Sequence, residues 1–534
     1  MTPTKTMRVL VSDPLGQGGL AILRKDKNLK VDELTGLKPE ALKKIIDQYD
    51  AIVIRSGTRL TADILEKATR LRVIGRAGVG VDNVDLAAAT KRGIIVMNTP
   101  EGNTISTAEH TFSMLMALAR NIPQACQSIR EGVWDRKKFL GTELSGKTLG
   151  IVGYGRIGRE VTKRAAAFAM KVIVFDPFIS KASAKEQPIE FVDVETLLQR
   201  SDFITVHTPL NEDTKYLINR KNLKLCKKGV RLINCARGGI YEEAALIEGL
   251  KSGIIAGVAL DVFEEEPPQN NPLVGMPNVI ATPHLGAATQ EAQENVALDV
   301  AQQVVDALND RAIKNAVNLP NLDSEELKVL KPWISLAEKI GQLHTQLYSG
   351  SLKQVTVRYG GEVTKYNLKP LTLSILKGLL TPICGDTVNF VNAESLAKER
   401  GMAVDESRST LTEDFSNYIE LEVRRGKDTH KIMGTLFENH MPRIVRIDEY
   451  LIDLEPIGPV IFIYNEDQPG VVGSIGTLLG KNKINIAEMS LGRVRKGSKT
   501  LALTIINTDS DVPASILEKL KKIGPILDAK VVKL

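Results

Sequence analysis

The chain has 534 residues, 43% of them hydrophobic and 25% charged, with a net charge of +6; at roughly 150 residues per domain it holds three or four, and the composition is that of a globular protein, not a disordered one. The charge is small and gathers into no long basic run or arginine-aromatic stripe, which argues against nucleic acid, and no stretch approaches the ~20 uninterrupted apolar residues of a membrane span. Cys126, Cys226, Cys235 and Cys384 are widely spaced, with no C-x-x-C and no neighbouring His at metal-ligand spacing, so no metal is expected and the thiols fit a reducing, cytoplasmic compartment.

Residues Met1 to Thr6 run directly into the strand-like Arg8 to Ser12, which leaves no room for a signal peptide. From residue 7 to about 310, short β-branched runs alternate with helical patterns, the mark of βαβ units in parallel sheets. Expected strands include Ala51 to Ile54, Arg72 to Ile74, Ile94 to Met97, Leu149 to Val152, Val172 to Phe175, Phe203 to Val206, Arg231 to Asn234 and Ile255 to Leu260. These are too many for one Rossmann sheet, so two α/β doubly wound domains are expected. A crossover joins them, and a helix over 289 to 309 returns to the first.

In the first domain, Ile54-Arg55-Ser56-Gly57-Thr58, the run from Arg76 to Asp85, and Asn98-Thr99-Pro100-Glu101-Gly102-Asn103 each follow a strand. Arg55 and Arg76 suit an anionic substrate, since guanidinium groups take carboxylate or phosphate bidentately; on residue type alone they could equally be solvated loop arginines.

The middle of the chain carries Gly153-Tyr154-Gly155-Arg156-Ile157-Gly158 directly after an apolar strand and before a helix expected over Arg159 to Phe168. In a G-x-G-x-x-G turn the first glycine makes the bend, the second admits the pyrophosphate and the third lets helix and strand close up. The following strand ends in Asp176, 18 residues beyond Gly158, close to the ~20 expected for the acid that accepts from a ribose 2′-OH. NAD is therefore favoured over NADP.

Three later segments place ionisable residues where strands end: Asn234-Cys235-Ala236-Arg237-Gly238-Gly239, the stretch from Leu260-Asp261 to Glu266-Pro267-Pro268, and Thr282-Pro283-His284-Leu285-Gly286. Oxidising a secondary alcohol needs a base near neutral pH, for which His284 is suited. Glu266 would fix its tautomer and stabilise its protonated form, and Arg237 would hold a substrate carboxylate.

The combination of the turn, Asp176, Cys235 to Gly239, Asp261-Val262-Phe263, Glu266-Pro267-Pro268 and Pro283 to Gly286 resembles the D-isomer-specific 2-hydroxyacid dehydrogenases over roughly residues 7 to 318. The resemblance implies catalysis by Arg237, Glu266 and His284. It also implies NAD contacts at Val79, Gly153, Gly155, Arg156, Ile157, Gly158, Asp176, Thr208, Cys235, Asp261 and Gly286, and substrate contacts at Arg55, Ser56, Arg76 and Asn103.

After Pro320 the alternation fades; Asn321 to Glu326 reads as an acidic linker, and 320 to 455 as a mixture of short strands and helices. From Gly458 the order is β-α-β-β-α-β, a ferredoxin-like arrangement. The run Asn465 to Gly476, followed by Ile484 to Met489, is similar to the amino-acid-sensing ACT domain, with expected effector contacts at Asn465, Asp467 and Asn485. The expected domains are 1–101 with 287–318 for substrate, 102–286 for NAD, an α+β segment 319–455, and the ACT unit 456–534. The layout resembles the long serine-synthesis branch of the family. That branch implies oxidation of D-3-phosphoglycerate, a homotetramer and L-serine as a possible effector. A glyoxylate or hydroxypyruvate reductase and a dinucleotide-sensing corepressor remain as alternatives.

Overall fold

The computed structural model describes all residues except 1–5, 180–188, 312, 321, 323, 410–414 and 427. The first sheet is β1 (Met7–Val11), β2 (Leu29–Glu33), β3 (Ala51–Ile54), β4 (Val73–Arg76) and β5 (Ile95–Met97), all parallel in the order β2-β1-β3-β4-β5. Its strands are near-continuous apolar runs because both faces are covered. Leu10, Ile52 and Ile74 pack on one face, while Val9, Val53 and Val73 pack on the other.

The second sheet is β6 (Thr148–Val152), β7 (Lys171–Phe175), β8 (Glu190–Phe191), β9 (Phe203–Val206), β10 (Val230–Asn234), β11 (Ile255–Leu260) and β12 (Val279–Ala281). It is also wholly parallel, in the order β12-β11-β10-β9-β6-β7-β8. The order reverses between β6 and β9, and open α/β sheets bind ligands at such a point.

Around these sheets run α1 (Gln17–Lys25), α2 (Thr104–Arg120), α3 (Ile122–Arg130), α4 (Arg156–Ala167) and α5 (Gln290–Leu308). The chain crosses between the sheets through α2 and returns along α5, whose Val296, Ala297, Val300, Ala301 and Val304 join the core of the first sheet. Gly19 makes the return possible, since a Cβ there would lie 2.5 Å from the Ala297 carbonyl oxygen.

The region after 320 is more regular than short strands and helices. Two long helices, α6 (Ser324–Leu347) and α7 (Lys369–Cys384), pack on β13 (Gln354–Gly360), β14 (Ala403–Ser409), β15 (Tyr418–Arg425), β16 (Asp428–Phe437), β17 (Met441–Ile447) and β18 (Tyr450–Leu454). The sheet order is β14-β13-β15-β16-β17-β18, and only β13 and β14 pair in parallel. Pro332 and Pro382 lie inside the helices, and Glu420 and Glu422 are held under Arg358, so breaker and charge signals obscured both patterns. Of the supposed linker, Asn321 and Asp323 lie outside the described residues, Leu322 is in no helix or strand, and the helix begins at Ser324.

The final unit is β19 (Pro459–Glu466), α8 (Val471–Lys481), β20 (Ile486–Lys496), β21 (Lys499–Thr508), α9 (Ala514–Lys521) and β22 (Ile526–Lys533). Its antiparallel sheet runs β20-β21-β19-β22, the ferredoxin-like order expected from the sequence.

Candidate active site

The carboxyl ends of the two parallel sheets meet across a cleft, bridged by Arg237 Nε on Asp82 Oδ2 at 3.0 Å. On one wall, β6 ends in the glycine turn. Gly153 has φ +91°, open to glycine at little cost, and a Cβ there would lie 2.7 Å from the His207 carbonyl oxygen. Gly155 faces open space, with nothing within 4 Å of a Cβ, whereas a Cβ at Gly158 would lie 2.2 Å from the Gly153 carbonyl oxygen. Helix α4 begins at Arg156, not Arg159, so Gly158 lies in its first turn and Gly155 is its N-cap, without a capping side chain. The first N–H groups are thereby left for an anion. Asp176 directly follows β7 and is anchored to the turn, accepting from Tyr154 N at 2.8 Å and Phe178 N at 2.9 Å. Thr208 Oγ1, beside Gly153, is buried without a partner among the described residues. A small-residue cradle, an uncapped helix start, a carboxylate at the strand end and an orphaned hydroxyl together fit a dinucleotide.

On the floor, His284 Nδ1 and Glu266 Oε2 are 2.8 Å apart. The Glu266 hydrogen bond raises the His284 pKa above the ordinary value, outweighing burial. Burial works to raise the Glu266 pKa, but the hydrogen bond from His284 prevails and holds the carboxylate low. His284 sits at φ +56°, and its Nδ1 bond leaves Nε2 as the nitrogen available to a substrate.

The opposite wall carries Arg55 and Arg76. Asp13 fixes the loop of Arg55 by accepting from Arg55 N at 2.6 Å and Thr58 N at 3.0 Å; Ser56 beside them is exposed. The Arg76 pKa is lowered to about 10, first by burial and then by the charges of Arg237 and Arg55. Its Nε has no partner among the described residues. Gly78 and Gly80 make room for these side chains, since a Cβ at Gly78 would strike Arg76 and one at Gly80 would strike Arg237. Asn103 precedes α2 without capping it, and its Oδ1 is also buried and without a partner among the described residues. Val79 offers its backbone, whose carbonyl accepts from Asn98 Nδ2 at 2.5 Å.

Two of the expected cofactor contacts lie beneath the surface. Asp261 has no exposed surface and holds the His284 loop, accepting from Thr282 Oγ1, Leu285 N and Gly286 N. Cys235 is buried beside it, and desolvation pushes its thiol pKa far up. Ligand atoms of Cys235, Asp261 and His110 lie within 4.8 Å of one another. With the thiol kept protonated and the carboxylate already bonded, they fit a hydrogen-bonded network better than a metal site.

In the last unit, Asn465 is 2% exposed, with its amide turned to Thr504 and the Glu466 carbonyl. Asp467 pairs with Arg493, and Asn485 with Asp509. Asn465 lies opposite Ala502 and Ile486 opposite Thr508, so Asn485 and the 465–470 loop occupy opposite ends of the sheet. One chain does not bring them together. Asp13, Asp82, His110 and Thr282 were missed; Asp82 lay in plain view in the Arg76 to Asp85 run, but its partner is 155 residues away.

Family models match residues 112–286 as the NAD-binding domain of D-isomer-specific 2-hydroxyacid dehydrogenases, 329–448 as the D-3-phosphoglycerate dehydrogenase intervening domain, and 459–525 as an ACT domain. The chain is 45% identical to a D-3-phosphoglycerate dehydrogenase of Methanocaldococcus jannaschii and 42% identical to that of Archaeoglobus fulgidus, in each case over 99% of this chain and 100% of the relative. It also resembles a solved D-lactate dehydrogenase of Aquifex aeolicus complexed with NAD and lactic acid, at TM-score 0.51 and 29% identity, over 57% of this chain and 96% of that one. The chain belongs to the D-3-phosphoglycerate dehydrogenase family, within the D-isomer-specific 2-hydroxyacid dehydrogenases.

Proposed function

We propose that the chain oxidises D-3-phosphoglycerate to 3-phosphohydroxypyruvate, with His284 as acid/base, Glu266 as its partner and Arg237 on the substrate carboxylate. The observation that carries this is the His284–Glu266 pair at 2.8 Å in a cleft where burial and the charges of Arg237 and Arg55 disfavour the cation of Arg76. Three crowded guanidinium groups are relieved by an anion bearing both carboxylate and phosphate. Bound NAD supplies the hydride acceptor. Glu266 keeps the Nδ1 proton of His284 in place, so the bare Nε2 takes the hydroxyl proton. Arg237 holds the carboxylate and steadies the developing carbonyl oxygen, while Arg55, Ser56, Arg76 and Asn103 line the substrate end. The test is NADH formation from D-3-phosphoglycerate by the native chain, and its fall by about 10²–10⁴ in His284→Ala; near-native turnover by that variant refutes the assignment.

We place the enzyme in the cytoplasm as a homotetramer. Its units would be 1–101 with 287–318 for substrate, 102–286 for NAD, 319–455 intervening, and 456–534 for regulation. Exposed Ile122, Ile129, Val133, Trp134 and Leu140 give an apolar strip for a second copy. Because Asn485 and the 465–470 loop are at opposite ends of the sheet, an effector such as L-serine that touched both would sit between two copies. Sedimentation as a monomer, with turnover indifferent to L-serine, would remove both proposals.

A further inference from the structure

Behind the His284 loop lies a buried hydrogen-bonded knot that ties three separate elements together. Asp261, at the end of β11, accepts from Thr282 Oγ1 at 2.6 Å, Leu285 N at 2.7 Å and Gly286 N at 2.8 Å. Its backbone carbonyl accepts from His284 N at 3.0 Å. His110, on α2, brings Nε2 to 3.1 Å from Asp261 Oδ1 and 3.2 Å from Thr282 Oγ1. The Thr282 hydroxyl proton is already given to Asp261, so both oxygens facing His110 are acceptors and Nε2 carries the hydrogen. One turn earlier on α2, Ser106 Oγ and Thr107 Oγ1 donate to the Gly286 carbonyl at 2.8 and 3.2 Å.

The residues flanking His284 are thus pinned at 282, 285 and 286. His284 itself, at φ +56°, adopts the left-handed conformation, which is uncommon for a residue other than glycine. Asp261 makes most of these pins, and α2, the helix by which the chain crosses from the first sheet to the second, backs them through His110, Ser106 and Thr107.

We propose that His110, together with Thr282, is a positioning residue for the reaction: through Asp261 it locks the loop that aims His284 at Glu266, and it ties that loop to the crossover helix. The proposal rests on the acid/base reading of His284. His110 does not reach the substrate. Its contribution is to hold the imidazole where Nδ1 meets Glu266 and Nε2 meets the hydroxyl, and small misplacements of a reacting group are costly in rate.

The test compares His110→Leu, Thr282→Val and His110→Gln in the full chain, oxidising D-3-phosphoglycerate over a range of pH. His110→Leu and Thr282→Val are expected to lower kcat by roughly tenfold or more, with the KM for NAD unchanged. The charged groups around His284 are Glu266 and Asp261, which raise its pKa, and Arg237, which lowers it. As the Glu266 bond loosens, the acid limb of the pH profile should move to lower pH. A glutamine amide reaches the place of Nε2, so His110→Gln should restore both kcat and the limb.

Folded His110→Leu and Thr282→Val proteins with native kcat and an unmoved acid limb would overturn the proposal. So would a loss confined to Tm and to the number of NAD sites, or a failure of His110→Gln to restore. Should His110→Leu not fold, Thr282→Val, which keeps shape and volume, decides alone. His284→Ala, run alongside, separates the two readings. If it remains active, the acid/base assignment fails; if it is inactive while the His110 and Thr282 variants are native, only the positioning role fails.

Discussion

The second and third glycines of the cofactor turn should respond in opposite ways to the same added methyl group. At Gly155 a Cβ meets nothing within 4 Å, and its φ of −72° is ordinary for any L residue. Gly155→Ala should therefore leave stability unchanged or raise it by about 0.4–1 kcal/mol through the unfolded state, while filling the space through which backbone approaches the pyrophosphate. NAD affinity should fall at least tenfold, about 1.4 kcal/mol. At Gly158 a Cβ lies 2.2 Å from the Gly153 carbonyl oxygen and 3.5 Å from Ile151 Cγ2. The oxygen belongs to backbone fixed by the Gly153 N bond to the Phe175 carbonyl at 2.8 Å, so it cannot swing aside. Overpacking of this kind costs about 1–3 kcal/mol, against which the helical preference for alanine returns about 1 kcal/mol. Gly158→Ala should thus lower Tm. Calorimetric titration with NAD and thermal unfolding of both variants are the assays. Native NAD affinity in Gly155→Ala, or equal losses of Tm in the two, would refute the account of the turn.

Oxidation needs neutral His284, so activity in that direction should fall as pH drops through its raised pKa. Glu266→Gln removes the largest contribution raising it, and the acid limb of kcat/KM should move to lower pH; an unmoved limb would show that Glu266 does not govern the histidine. Arg55→Ala should lower kcat/KM for D-3-phosphoglycerate by about 1.5–3 kcal/mol, the worth of a hydrogen bond to a charged group, and leave D-glycerate turnover unaffected. Asp176→Asn keeps an acceptor for Tyr154 N but removes the charge, so the NADP to NAD ratio of kcat/KM should rise; a constant ratio would remove Asp176 from cofactor selection.

What could be read from the sequence was what is local in the sequence. The turn from Gly153 to Gly158, Asp176 one strand later, and the strand ends at 237, 266 and 284 are each specified within a few residues. The return helix over 290–308 showed because its alanines and valines recur at helical spacing. What escaped is set by distant partners. Asp82 matters because Arg237 reaches it from the other sheet, and Asp261 turns inward because α2 supplies His110 behind it. Asn465 continues the face of β19 that buries Ile461 and Ile463, so a residue that the ACT resemblance assigns to an effector is covered within the single chain. The intervening sheet was blurred by glutamates at positions 420 and 422, neutralised by Arg358 and Lys431 instead of facing water.

The most direct test of the central claim is the ratio of kcat/KM for D-3-phosphoglycerate to that for D-glycerate, followed by NADH formation at saturating NAD. A cleft that gathers Arg55 and Arg76 with Arg237 predicts a preference of at least roughly a hundredfold for the phosphorylated acid, because the added cations are left without their anion otherwise. Equal values for the two acids would contradict it, since the arginines would then have no phosphate to hold.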